Sequence, residues 1–154
     1  MQKHVNIDSI DKKILEFLIK NARTPFLEIA RECGISGAAI HQRIKKLEDL
    51  GVIIGSKFII NPRAVGMDIC VFVGVHLDMA HLYKDVVKEF ENIPEIVECH
   101  YTTGNYAILL KMYCSDNEHL MDVLVNTIQN IKGVSKTETF ISLEQAIQRE
   151  ICVK

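Results

Sequence analysis

Apolar residues recur at helical spacing three times within the first fifty positions. Ile10, Ile14, Phe17 and Leu18 make the first stripe, opened by Asp8, with Asp11 three residues on, and closed by Asn21. Leu27, Ala30 and Cys33 make the second. Thr24 is its expected cap, Pro25 its first residue, where the missing N–H costs nothing, and Gly34 its stop. Ile40, Ile44 and Leu47 make the third, which predicts a helix over 36–50 between the Ser36 cap and Gly51. Val52 to Ile60 then reads as extended structure with a turn near Gly55, and Asn61-Pro62 is turn chemistry. A domain boundary is expected here, dividing the chain into 1–61 and 62–154.

Beyond it the texture alternates. Ile69 to Leu77 reads as a strand, and Leu82, Val86, Phe90 and Ile93 as a helix ended by Pro94. Ile96–Thr103 and Tyr106–Cys114 read as strands joined by a two-residue hairpin turn at Gly104-Asn105. Leu120, Val123, Leu124, Ile128 and Ile131 predict another helix, with Asp116 or Asn117 as cap and Gly133 as stop. Val134 to Leu143 reads as a fourth strand, with the chain continuing extended. The order βαββαβ is the ferredoxin-like arrangement, so the expected class is α+β with a (winged) helix-turn-helix in front. The strands are apolar in both parities: Val71, Val73 and Val75 oppose Cys70 and Phe72, while Ile108, Leu110 and Met112 oppose Leu109 and Tyr113. Two helices can cover one face, which predicts a second copy on the other.

Composition narrows the function. Of 154 residues, 48% are apolar, enough to bury a core, and no run suggests a signal peptide or a membrane span. A soluble cytoplasmic protein is expected. Five cysteines at wide spacing, without CxxC, read as reduced thiols acting as small hydrophobes rather than as a disulfide or zinc framework. Net charge is only −2, but residues 1–61 carry 10 Lys/Arg against 7 Asp/Glu, and residues 62–154 carry 8 against 13. The first part alone suits a polyanion. No metal or cofactor motif is visible. Cys99 and His100 adjoin, but neighbours on a strand face opposite ways, and no nucleophile, phosphate-loop or metalloprotease motif occurs, so no enzyme is expected. His76 and His100 could meet across strands as a weak metal pair, or serve as surface or interface positions.

The third helix carries the strongest functional signal. Ala30 lets two helices cross closely, Gly34 turns the chain, and Ile40 anchors the next helix, which is helix-turn-helix punctuation for a major-groove reader. With Ile40, Ile44 and Leu47 inward, Ala38, His41, Gln42, Lys45 and Asp49 face outward and Lys46 flanks them. The small residues Ser36, Gly37 and Ala38 allow close approach at the N-terminal end. His41 and Gln42 can reach base edges, and Lys45 and Lys46 suit phosphates. Arg43 lies beside the buried stripe, placed either to reach a phosphate or to brace Glu48 or another carboxylate. Such a polar face also fits a merely solvated helix. Three consecutive helices and the basic balance favour the reader of double-stranded DNA.

These segments resemble a known family. Asn21-Ala22-Arg23-Thr24, Glu28-Ile29-Ala30, Gly34-Ile35-Ser36, Arg43-Ile44-Lys45-Lys46-Leu47-Glu48 and Gly51-Val52-Ile53 are similar to the Lrp/AsnC (feast/famine) transcription regulators. Tyr101-Thr102-Thr103-Gly104-Asn105-Tyr106 and Ser135-Lys136-Thr137-Glu138-Thr139 resemble that family's amino-acid-binding domain, nearest its asparagine-responsive branch. The resemblance implies a dimeric operator binder, dimerisation through the ferredoxin-like sheet, assembly to octamers, and a free amino acid bound in the C-terminal part between dimers. Many members have an acidic residue where this chain has Ala107, which implies a pocket unlike the leucine-type one.

On that footing the effector chemistry can be placed. The turn from Thr102 to Tyr106 offers backbone N–H groups to a carboxylate, Thr102 and Thr103 add hydroxyls, and Asn105 an amide. Tyr101 and Tyr106 border the turn. Thr137, Glu138 and Thr139 come from the last strand, and Glu138 could take the ammonium. Asparagine is one candidate effector. The same residues also serve as plain turn and strand formers, which leaves open a DNA-organising protein of the same fold with no effector.

Overall fold

The computed structural model describes residues 5–153. Helix α1 (Ser9–Lys20) opens as expected: the Asp8 side chain accepts from the Asp11 N–H at 2.8 Å, Asp11 reaches back to the Asp8 N–H, and Asn21 closes it. Helix α2 (Phe26–Cys33) differs in its start. Pro25, not Thr24, is its cap, and the Thr24 hydroxyl donates instead to the Asn21 carbonyl at 2.8 Å. Its buried side is Ile29 and Ala30, whereas Leu27 is 61% exposed. An Ile one position from Ala30 competes for the same inward arc, and the wider apolar stripe concealed that. Gly34 ends α2 at φ 67°, a left-handed conformation that suits glycine. Helix α3 (Gly37–Asp49) carries its Ser36 cap, which accepts from the Ala39 N–H at 3.2 Å. Ile14, Ile29, Ala30, Ile40 and Ile44 interlock as the three-helix core, with Ile53 packed beside them.

From Ile53 to Asn61 no ladder forms among the described residues, so the wing segment is extended without being a strand. A lone extended segment has no neighbour for its N–H and C=O groups. Ile54, Phe58, Ile59 and Ile60 are consequently exposed.

The second half is a four-stranded antiparallel sheet of order β2-β3-β1-β4, made by β1 (Ile69–Leu77), β2 (Ile96–Tyr101), β3 (Ile108–Cys114) and β4 (Val134–Ser142). Helix α4 (Tyr83–Phe90) follows β1. Helix α5 (Asn117–Asp122), capped by Asp116, continues through a π turn (Val123–Thr127) and a 3-10 turn (Ile128–Asn130). Val71, Val73, Val75, Ile108, Leu110 and Met112 are fully buried with Val86 and Ile128 against them, so both helices cover one face. The opposite face presents Cys70, Phe72, Leu109, Tyr113 and Phe140, partly covered or exposed.

The hairpin is where the structure corrects the expected turn. Strands β2 and β3 end at Tyr101 and begin at Ile108, and Thr102 N–H donates to Ala107 C=O at 3.0 Å, closing a four-residue loop, Thr103–Tyr106. Gly104-Asn105 is only its tip. The cause lies 32 residues away: Tyr106 lays its ring against Gly74, where a Cβ would stand 2.5 Å from the ring carbon Cδ1. Ala107 N–H meanwhile donates to Val75 C=O at 3.0 Å. A two-residue turn would hold Tyr106 in the β2–β3 ladder and away from that glycine.

Packing divides the chain into Met1–Phe58 with Ile147–Lys154, and Ile59–Ala146. The last residues thus group with the first unit, unlike the simple division expected at 61/62. Two cysteines also depart from the small-hydrophobe reading. Cys114 is buried, its thiol pushed up to about 11 by burial, but Cys99 and Cys152 are exposed.

Candidate nucleic-acid interface and ligand site

Helix α3 turns Ala38, His41, Gln42, Lys45, Lys46 and Asp49 outward, as its inward stripe requires. Lys45 is 77% exposed and only loosely paired with Asp49 at 3.8 Å. The His41 ring meets Phe26 edge-on at 5.2 Å, which seats the start of α2 beside the reading face. Gly37 faces Leu27, whose methyl would lie 2.9 Å from a Cβ there, so the small residue lets α2 and α3 close up.

Arg43 and Lys46 are engaged elsewhere. Arg43 Nη1 donates to Asp8 Oδ2 and Asp11 Oδ1, both at 2.7 Å, and Lys46 Nζ to Asp11 Oδ2 at 3.1 Å. Of the two outcomes open for Arg43, bracing a carboxylate is the one formed, though the carboxylates belong to α1 and its cap and not to Glu48. Asp11, the one charged side chain with no exposure among the described residues, is the hub of this network. No helical spacing in the sequence announces it, because α1 and α3 meet only through the fold.

The network makes the first unit acid-sensitive. Burial works to raise the Asp11 carboxyl, but hydrogen bonds from Arg43 and Lys46 outweigh it and hold it below the ordinary 3.8. The Asp11 N–H, then Arg43, hold Asp8 below it too. Because both folded values lie under the unfolded ones, the stabilisation is complete above them and vanishes as pH falls through the folded values. The unfolding temperature of the first unit should therefore drop as pH falls below the ordinary 3.8 of a free aspartate. Circular dichroism melts of the full chain and of Asp11→Asn check this: the variant should lose most of that dependence.

In the second unit the hairpin loop and the start of β4 lie at one end of the sheet. Thr102 Oγ1 donates to the Tyr106 C=O at 2.6 Å, tying the loop to itself. Tyr101 packs on Tyr83 at 4.3 Å. Thr103, Gly104 and Asn105 are exposed. Tyr106 OH donates to Glu138 Oε2 at 3.1 Å, and its ring meets His76 and Phe140 edge-on. The Thr137-Glu138-Thr139 run divides by strand parity. Thr137 and Thr139 pair with Val75 and Val73 and share the helix-covered face, and Thr137 Oγ1 accepts from Gln129 Nε2 at 2.9 Å. Glu138 shares the open face with His76 and Tyr106. Its carboxylate is held below the usual range by Lys136 at 2.8 Å, then Tyr106, then His76 at 3.4 Å.

His76 and His100 do not pair. His76 meets Glu138 across β1 and β4, while His100 meets Glu98 on its own strand at 3.4 Å, two strands removed. Among the described residues no three His, Cys, Asp or Glu side chains gather as metal ligands. Gly74 and Phe140 were missed by sequence reasoning, and His76 and Lys136, though named there, were not expected as partners of Glu138. The parity of β4 could have linked Lys136 to Glu138, but nothing local marks Gly74.

A helix-turn-helix with an outward polar reading face, followed by a ferredoxin-like domain with a loop cluster at one sheet end, defines a ligand-governed DNA-binding regulator. Comparisons with known proteins agree. A winged helix-turn-helix DNA-binding model matches residues 7–54, and the Lrp/AsnC ligand binding domain model matches residues 70–151. The chain is 45% identical to regulatory protein AsnC of Haemophilus influenzae, over 95% of this chain and 97% of that protein. It is 39% identical to the regulatory protein AsnC of Escherichia coli K12, over 94% and 95%. The structure of E. coli AsnC superposes with a TM-score of 0.92 at 38% identity, covering 97% of this chain and all of that one. The feast or famine regulatory protein of M. tuberculosis, complexed with L-methionine, superposes with a TM-score of 0.89 at 27% identity, covering 96% of this chain and 100% of that one. The chain belongs to the Lrp/AsnC family of transcription regulators. No helix among the described residues is long and apolar enough to cross a membrane.

Proposed function

We propose that the chain regulates transcription in the cytoplasm as a homodimer that assembles further, to an octamer. Its assembly or affinity for double-stranded DNA changes when a free amino acid binds at the hairpin end of the sheet, and binding alone, without catalysis, does the work. Asparagine is the first candidate, supported by the relatives named AsnC; a relative solved with L-methionine supports an amino acid as the class. The reading rests on one juxtaposition above all: the loop 102–106 and Glu138 are joined through Tyr106, so a ligand that reorders the loop would be felt on the open sheet face. That face, with Phe72, Leu109, Tyr113 and Phe140, is the surface we assign to the dimer contact.

One observation favours a second reading. Glu138 already receives Lys136, Tyr106 and His76, so it is not an open acceptor for an ammonium. A DNA-organising member without effector would look the same. A thermal-shift screen of the full chain against the free amino acids separates the two. At a hundredfold excess over Kd an effector should stabilise the fold by about 2.7 kcal/mol. Gly74→Ala, which pushes the Tyr106 ring off its seat, should weaken that response. Operator binding is then measured with and without the hit. If no amino acid alters melting, assembly or DNA affinity, the effector reading is wrong and the second stands.

A further inference from the structure

We propose that Arg23, braced on Phe58, holds a DNA backbone phosphate beside the groove that α3 enters. This rests on the reading of α3 as the groove-entering helix. The Arg23 guanidinium lies over the Phe58 ring, 4.6 Å from its centroid. Phe58 is 70% exposed in the single chain and takes no part in the core of its own unit. Among the described residues Arg23 pairs with no carboxylate, unlike Arg43 and Lys46, which share Asp11.

Stacking occupies the flat face of a guanidinium and leaves its edge N–H groups free. An edge of that kind is the planar fork that grips a phosphate with two parallel hydrogen bonds. The backbone beneath is also fixed. Arg23 N–H donates to Asn21 Oδ1 at 3.0 Å, and both the Thr24 N–H and its hydroxyl donate to the Asn21 carbonyl. Three residues on, Phe26 touches His41 on the outward side of α3. The turn, the start of α2 and the reading face are therefore continuous. Phe58 is a positioning residue in this arrangement: it belongs to the extended segment and sets the direction of the fork. The partner is the phosphodiester chain of duplex DNA, gripped without regard to base sequence.

The test uses the full chain on two duplexes of equal length, an operator selected from random sequences by the wild-type protein and a random one. Kd is measured between about 50 and 200 mM salt. Arg23→Ala should weaken both duplexes alike, by about five- to tenfold near 0.1 M salt, and reduce the salt slope by about 0.9, one phosphate. Arg23→Lys should keep the slope and recover part of the affinity. Phe58→Leu should weaken both duplexes by about twofold to threefold with its melting unchanged, and Phe58→Tyr should restore them. The proposal is overturned if Arg23→Ala keeps wild-type affinity and slope, or if it loses only operator preference. Failure of the underlying reading looks different: Gln42→Ala would then leave operator preference intact.

Discussion

Replacing Gln42 by alanine should cost about 2 kcal/mol of operator binding, roughly thirtyfold, while binding to random duplex stays nearly unchanged. Adding Lys45→Ala should weaken both duplexes by about a further fivefold and reduce the salt slope by about 1, the signature of a lysine that grips phosphate rather than base. The combined variant should therefore lose operator binding about a hundredfold or more while melting like the wild type. Both side chains lie on the outward face of α3, and among the described residues Lys45 has no partner firmer than Asp49 at 3.8 Å. Electrophoretic or fluorescence titration of the two duplexes measures this. Unchanged operator affinity in the double variant would mean that the three helices serve protein contact, and the second unit alone would carry the function.

Arg43→Ala should act on stability first. It strips two short hydrogen bonds from the capping-box carboxylates and leaves Asp11, with no side-chain exposure, only Lys46 and the Asp8 N–H as donors among the described residues. Removing one partner of a fully buried ion pair costs more than this, but Arg43 is itself 26% exposed, so about 2 kcal/mol is expected. In a unit of this size that lowers the unfolding temperature by about 10 °C. Joint replacement of Arg43 by Met and Asp11 by Leu should recover much of the loss, since an apolar pair leaves no stranded charge. Below the melting transition, Arg43→Ala should affect DNA affinity less than Lys45→Ala does. A loss of stability smaller than about 0.5 kcal/mol would show that the carboxylates find water instead.

How much of this was legible depends on how far apart the responsible residues lie. The three N-terminal helices were readable because their signals are local: Asp8 caps with Asp11, Ser36 caps with Ala39, and Ile40, Ile44 and Leu47 recur within one helix. The shift of the α2 cap from Thr24 to Pro25 is a single residue, decided by whether the Thr24 hydroxyl bonds forward or back to Asn21. Strand alternation likewise exposed the two-faced sheet, since a period of two is visible in any six residues. The hairpin end of the sheet was less legible. Sequence neighbours Thr137, Glu138 and Thr139 were grouped as one site, yet they divide between the two faces once β4 pairs with β1.

By itself, then, the sequence determined the order of elements, the outward polar face of α3 and the family, all of which follow from caps, periodicity and motif spacing within short stretches. The tertiary structure decided which polar groups are already engaged. Arg43 meets Asp8 and Asp11 across 35 and 32 residues, Tyr106 meets Gly74 and Glu138 across 32, and Phe58 comes under Arg23. A charged or aromatic side chain shows its chemistry in the sequence. Its partner is set only when helices and strands pack, because a hydrogen bond or a stacked ring is fixed within a few ångströms that no spacing along the chain encodes.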